Sequence, residues 1–199
     1  MLYRLVAILS RPLFWIAFRP RVRGTAHLPV DGGFVLSANH LSGFDVWAVS
    51  YALFPRQARN MAKNQLFERP LLGPVVRSLG GFPAHGGEDG SGGAAAAALA
   101  AAGEAVVIYP EGARRRPGRT HRPRTGAARA ALDAGVPLLP AAIRGTDGWR
   151  RCRRWHVAIG AAVPLEDLRA LDASGSAREA TSRLWRSIGE LESMLDSGE

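Results

Sequence analysis

The sequence predicts an α/β fold: a single domain with a largely parallel central sheet flanked by helices, preceded by a short N-terminal apolar helical segment. Three observations predict it. The chain has 199 residues, about one domain, and can bury a sizeable core. Short apolar runs alternate along it with stretches of helical length. No internal repeat interrupts that alternation, and no linker is long enough to separate two domains. An apolar fraction of 47% with 22% charged residues argues against general disorder. Gly without a three-residue period and one cysteine, Cys152, exclude collagen-like and disulfide-scaffold proteins, and a lone thiol suits a reducing compartment.

Residues 2–18 are strongly apolar, with arginines at 4, 11 and 19. They predict two short helices broken at Pro12, with Trp15 and Phe18 entering the headgroup layer of a membrane. The alternative is a first helix that packs on the core. We therefore expect a membrane-interface segment over 1–20 and the main domain over 21–199. A cleaved signal peptide is not indicated, and the longest uncharged run, Gly90 to Gly103, is 14 residues, too short to span a bilayer.

Gly33 to Ser37 and Ala105 to Tyr109 are short, apolar and partly β-branched, and predict buried strands. Residues 137–143 and 156–160 are weaker strand candidates. Helical stretches fall at about 44–54, 65–79, 91–102, 124–134 and 175–195. The Gly-rich run 86–93 predicts a flexible loop.

Charge narrows the partners. Of 26 basic residues only Lys63 is a lysine; against 17 acidic residues they give +9 and a pI near 11.2. Such a balance draws a protein towards nucleic acid, anionic lipid or phosphorylated substrates, and does not choose among them. The Trp149 to Trp155 stretch, with arginines between aromatics, would suit a nucleic-acid stacking platform. That reading leaves the ends of the two predicted strands unexplained.

The first of those strands runs into Asn39-His40-Leu41-Ser42-Gly43-Phe44-Asp45. A histidine and an aspartate five positions apart can form a dyad, the carboxylate fixing the imidazole tautomer while the other ring nitrogen takes a proton. The same spacing also suits a satisfied loop histidine beside a helix-capping aspartate. The second strand runs into Tyr109-Pro110-Glu111-Gly112-Ala113-Arg114-Arg115-Arg116, where Pro stops the strand and Gly112 frees the turn. Arginines at such a turn make a phosphate cradle or a solvated basic loop.

Together the two windows resemble the glycerophospholipid acyltransferase family. Asn39, His40, Ser42 and Asp45 match its Asn-His-x-Ser-x-x-Asp motif, the HX4D signature, position for position. Tyr109, Pro110, Glu111, Gly112 and Arg114 match its Phe-Pro-Glu-Gly-Thr-Arg motif, with Tyr for Phe and Ala113 for Thr. Val136-Pro137-Leu138-Leu139-Pro140-Ala141 resembles its proline-bearing fourth block. Met61-Ala62-Lys63, Pro70-Leu71-Leu72-Gly73 and Arg124-Thr125-Gly126-Ala127-Ala128-Arg129 also follow in the family's order, so the likeness runs from about 21 to 165. One departure concerns the second motif, where the family carries an arginine thought to hold the acceptor's phosphate. Here Pro83-Ala84-His85-Gly86 stands in its place, which leaves His85 as a substitute donor or Arg77 reaching in.

The resemblance implies a glycerol-phosphate acyltransferase-like fold and transfer of a fatty acyl group from an acyl thioester to a lysophospholipid hydroxyl. The implied acceptor is 1-acyl-sn-glycerol-3-phosphate, giving phosphatidic acid, or else another lyso-lipid or lipid-like alcohol. His40 and Asp45 are implied as catalytic; Glu111, Gly112 and Arg114, with Asn39 and Ser42, as substrate-binding. No metal or cofactor is implied, the donor being acyl-CoA or acyl-carrier protein. No covalent intermediate is implied on Cys152. The expected setting is peripheral, on the cytoplasmic side of the cell membrane, against an anionic surface, with no nucleic-acid partner.

Overall fold

A computed structural model describes residues 2–84, 91–115, 121–170 and 172–198. Seven strands form one sheet in the order β1-β7-β6-β2-β5-β3-β4: β1 Arg21–Arg23, β2 Phe34–Ala38, β3 Ala58–Lys63, β4 Phe82–Ala84, β5 Ala105–Ile108, β6 Leu138–Arg144 and β7 His156–Ile159. The five strands from β6 to β4 are parallel. β7 runs antiparallel to β6, and β1 is parallel to β7. The sheet is thus mostly parallel, as expected, with two reversed strands at one edge. That reversal brings the starts of β1 and β7 to the carboxyl edge of β2, β5 and β6.

Side chains alternate across the pleat. Phe34, Leu36 and Ala38 pack in one cluster with α1 (Leu2–Phe18) and α2 (Asp45–Leu53), while Val35 packs in a second with α4 (Ser91–Ala101), α5 (Gly126–Ala134) and α6 (Ala173–Ser197). Burial on both faces explains why β2 and β5 read as unbroken apolar runs. Where a helix is expected over 65–79 the structure has a 3-10 turn, Asn64–Leu66, and then α3, Leu72–Ser78.

The N-terminal segment differs from expectation. It is one helix with Pro12 inside, not two helices broken there. Proline takes its own N–H out of the ladder and crowds the carbonyl four residues back, and packing on one face holds the helix through it. Tyr3 and Phe18 are buried, and Phe14 and Phe18 join the cluster around Trp155. The opposite face carries Leu2, Leu5, Leu9, Leu13 and Ile16 at helical spacing, all exposed. The helix therefore packs on the core and also presents an apolar stripe. Among the described residues, no helix is long and apolar enough to cross a membrane.

Candidate active site

Both motif windows open on the carboxyl edge of the sheet, where adjacent parallel strands β2 and β5 end. His40 follows β2. Its Nδ1 lies 2.7 Å from Oδ2 of Asp45, whose side chain is fully buried while that of His40 is 19% exposed. Asp45 opens α2, where the helix dipole favours a negative charge. Its Oδ2 also accepts from the backbone N–H of Leu41 at 2.6 Å and of Ser42 at 2.9 Å. Oδ1 accepts from the Thr146 hydroxyl at 2.5 Å. A buried carboxylate with both oxygens satisfied stays fixed in position. With the His40 proton held on Nδ1 by this carboxylate, the Nε2 lone pair is the ring atom able to take up a proton.

Asn39 and Ser42 are turned inwards, away from the substrate contacts expected of them. The Asn39 amide donates to the Ile143 carbonyl at 2.9 Å and accepts from the Ile143 N–H at 2.7 Å. The Ser42 hydroxyl donates to the Thr146 carbonyl and accepts from the Phe44 N–H, both at 3.0 Å. Both residues are buried. Their polar atoms lock the His40 loop to β6 and to the turn after it.

The second window lies against the first. Glu111 Oε1 accepts from the His40 N–H at 3.4 Å, and the Arg115 N–H donates to the His40 carbonyl at 2.7 Å. Burial pushes the Glu111 carboxyl above its ordinary range, against the Arg115 guanidinium, the His40 N–H and His121, which favour the charged form. The three arginines part company here. Arg115 is not free to grip substrate: its Nε bonds Glu111 at 2.7 Å, and its terminal nitrogens fork onto Glu192 of α6 at 2.6 and 3.1 Å. Arg114 is exposed and makes no ion pair among the described residues. Arg116, His85 and the 86–90 part of the predicted loop lie outside the described residues. Arg77 lies with its guanidinium 4.9 Å over the Phe67 ring.

Arg124 takes the place beside Arg114 that sequence had not assigned. Gly112 has φ +68°, and a Cβ there would meet the Arg124 Nε at 2.8 Å. The glycine thus makes the turn and lets a guanidinium lie on it. Two exposed arginines, 114 and 124, flank the turn after β5. Lys63 ends β3 at the same edge and is exposed. No group of three or more His, Cys, Asp or Glu side chains able to hold a metal occurs among the described residues.

A family model described as Acyltransferase matches residues 19–144, well over half of the chain. The chain belongs to the acyltransferase family. This acyltransferase is 28% identical over 180 residues to the 1-acyl-sn-glycerol-3-phosphate acyltransferase of Bacillus subtilis (strain 168), covering 88% of this chain and 89% of the relative. Its fold matches the crystal structure of the 1-acyl-sn-glycerophosphate (LPA) acyltransferase PlsC from Thermotoga maritima with a TM-score of 0.72, at 21% identity, over 96% of this chain and 79% of that one.

Within the acyltransferase, Tyr109 stands where the family motif has Phe. Its ring stacks on the His40 imidazole, centroids 4.3 Å apart and planes 21° apart. Its buried hydroxyl has no hydrogen-bond partner among the described residues, and burial, then the charge of Asp45, pushes it well above the ordinary tyrosine value. The ring serves packing; the hydroxyl is an unmatched cost. Tyr109→Phe is therefore expected to keep kcat and to melt at or above the wild-type temperature. A melting point lower by several degrees would assign the hydroxyl a partner of its own.

Proposed function

We propose that the protein transfers a fatty acyl group from an acyl thioester to the free hydroxyl of 1-acyl-sn-glycerol-3-phosphate, giving phosphatidic acid. The observation that carries the reading is the His40 Nδ1–Asp45 pair beside a turn flanked by two exposed arginines. Nε2 of His40 takes the proton of the acceptor hydroxyl as its oxygen attacks the thioester carbonyl. A C–O bond forms and the C–S bond breaks. The departing sulfur takes the proton back from His40, so nothing is left on the enzyme. Asp45 stabilises the imidazolium formed in between. A thioester is activated already, and an alcohol attacks it without a covalent intermediate on Cys152. The names of the relatives support the acceptor. Acyl-CoA and acyl-carrier protein both supply the required thioester.

The acceptor is a membrane lipid, and the exposed stripe of α1 gives the protein a way onto the bilayer surface. The reading is a peripheral protein on the cytoplasmic face, where acyl thioesters are made. Basic charge alone would equally suit nucleic acid, but it gives no use for the His40–Asp45 pair.

The test is a two-by-two comparison. A charge-assisted contact is worth ~1.5–3 kcal/mol, so Arg114→Ala is expected to lower kcat/KM for lysophosphatidic acid by roughly 10–150-fold. The penalty with monoacylglycerol, which lacks the phosphate, is expected to be far smaller. Arg114→Lys keeps the charge without the fork and recovers part of the loss. Equal penalties on both acceptors would remove Arg114 from the acceptor phosphate.

A further inference from the structure

The segment between β6 and β7 is a compact loop rooted on the dyad. A Cβ on Gly145 (φ +88°) would meet the Arg154 carbonyl at 2.1 Å, so the two ends of the loop close on each other. At its root, Thr146 bonds Asp45 and receives the Ser42 hydroxyl. At its tip, Trp149 is 39% exposed, with its ring 4.8 Å from Phe44 and the Arg150 guanidinium 5.2 Å over it. Phe44 in turn touches Phe18 at the end of α1. Arg150, Arg151, Arg153 and Arg154 are all exposed, and none forms an ion pair among the described residues.

We propose that the loop 145–154 is a second bilayer contact, one that reads anionic lipid, and that through Thr146 it sets the dyad at the lipid surface. The proposal rests on the reading above, that the acceptor is a membrane lipid. Two features choose a bilayer over an acidic carrier protein. A half-exposed tryptophan, apolar in body and polar at one edge, suits the headgroup layer. The aromatic cluster also runs without a break from Trp149 to α1, whose exposed stripe ends at Ile16, two residues before Phe18. α1 supplies insertion that does not depend on charge; the four arginines supply attraction that does.

The test is co-sedimentation with phosphatidylcholine vesicles, plain or mixed with phosphatidylglycerol. The fourfold variant Arg150→Gln, Arg151→Gln, Arg153→Gln and Arg154→Gln is expected to lose at least about tenfold in partition onto mixed vesicles and to keep its binding to plain ones. Lysine at the same four positions restores the anion dependence, which separates charge from misfolding. Leu9→Asp with Leu13→Asp lowers binding to both vesicle types. Wild-type binding by the fourfold glutamine variant overturns the proposal. So does unchanged binding with a raised KM for acyl-CoA, which would make the loop a dock for the donor. Turnover of detergent-dispersed lysophosphatidic acid is the control. Its absence in the wild type overturns the acyltransfer reading itself, whereas its presence confines a failed vesicle result to the loop.

Discussion

His40→Ala is expected to lower kcat by about 10²–10⁴-fold while leaving the melting temperature nearly unchanged. The imidazole is partly exposed and gives the fold one side-chain hydrogen bond, whereas Nε2 gives the reaction its base. Asp45→Asn behaves differently. Four donors converge on the Asp45 carboxylate: His40 Nδ1, the N–H groups of Leu41 and Ser42, and the Thr146 hydroxyl. An amide can accept through one oxygen only, so its NH₂ group faces a donor. The variant is expected to lose turnover through a misdirected tautomer and also to lose stability, by about 1–3 kcal/mol for the unmatched buried group. Purified His40→Ala turning over at the wild-type rate would break the dyad assignment.

The largest effect on stability is expected at Trp155. It is fully buried, stacked on Phe18 with centroids 4.0 Å apart and planes 9° apart, and in contact with Phe14 and Phe44. Its backbone continues the β1–β7 pairing, donating to the Phe18 carbonyl and accepting from the Arg21 N–H. Trp155→Ala should cost about 3–5 kcal/mol, or roughly 6–20 °C in melting temperature for a chain of this size. Since α1 docks through the same ring, the variant should also free α1. Proteolysis within residues 2–18 at temperatures well below the melting point is the second readout. A loss under about 1 kcal/mol would mean that the rings close over the gap.

What the sequence revealed and what it hid divide along physical lines. β2 and β5 were legible because both of their faces are buried, and a strand of that kind is apolar at every position. β3 was not: Ala58-Arg59-Asn60-Met61-Ala62-Lys63 has no apolar run, and its place in the sheet comes from pairing with β5 and β4. β1 and β4 are three-residue strands, too short for any period to show. His40 and Asp45 lie five positions apart, so their motif carried them. Thr146 lies 101 positions from Asp45, and only the fold brings the hydroxyl to the carboxylate. The arginine run shows the same limit. Composition cannot tell that Arg115 faces Glu111 and Glu192 while its neighbour Arg114 stays in solvent, because that depends on where α6 passes. Pro12 was read by its local rule alone, and tertiary packing overrode it.

The path of α6 has a consequence in time as well as in space. A surface turn ordinarily samples its conformations within about nanoseconds to microseconds. The turn at Glu111 is pinned through Arg115 to Glu192, the twentieth residue of a 25-residue helix whose inner face is buried along much of its length. Releasing it requires either breaking a forked ion pair or peeling away the end of α6, which is a partial unfolding event and correspondingly rare. The turn that presents Arg114 is therefore expected to rearrange more slowly than an unpinned surface loop. Residues well beyond the family-matched span 19–144 set how long the site keeps its shape between turnovers.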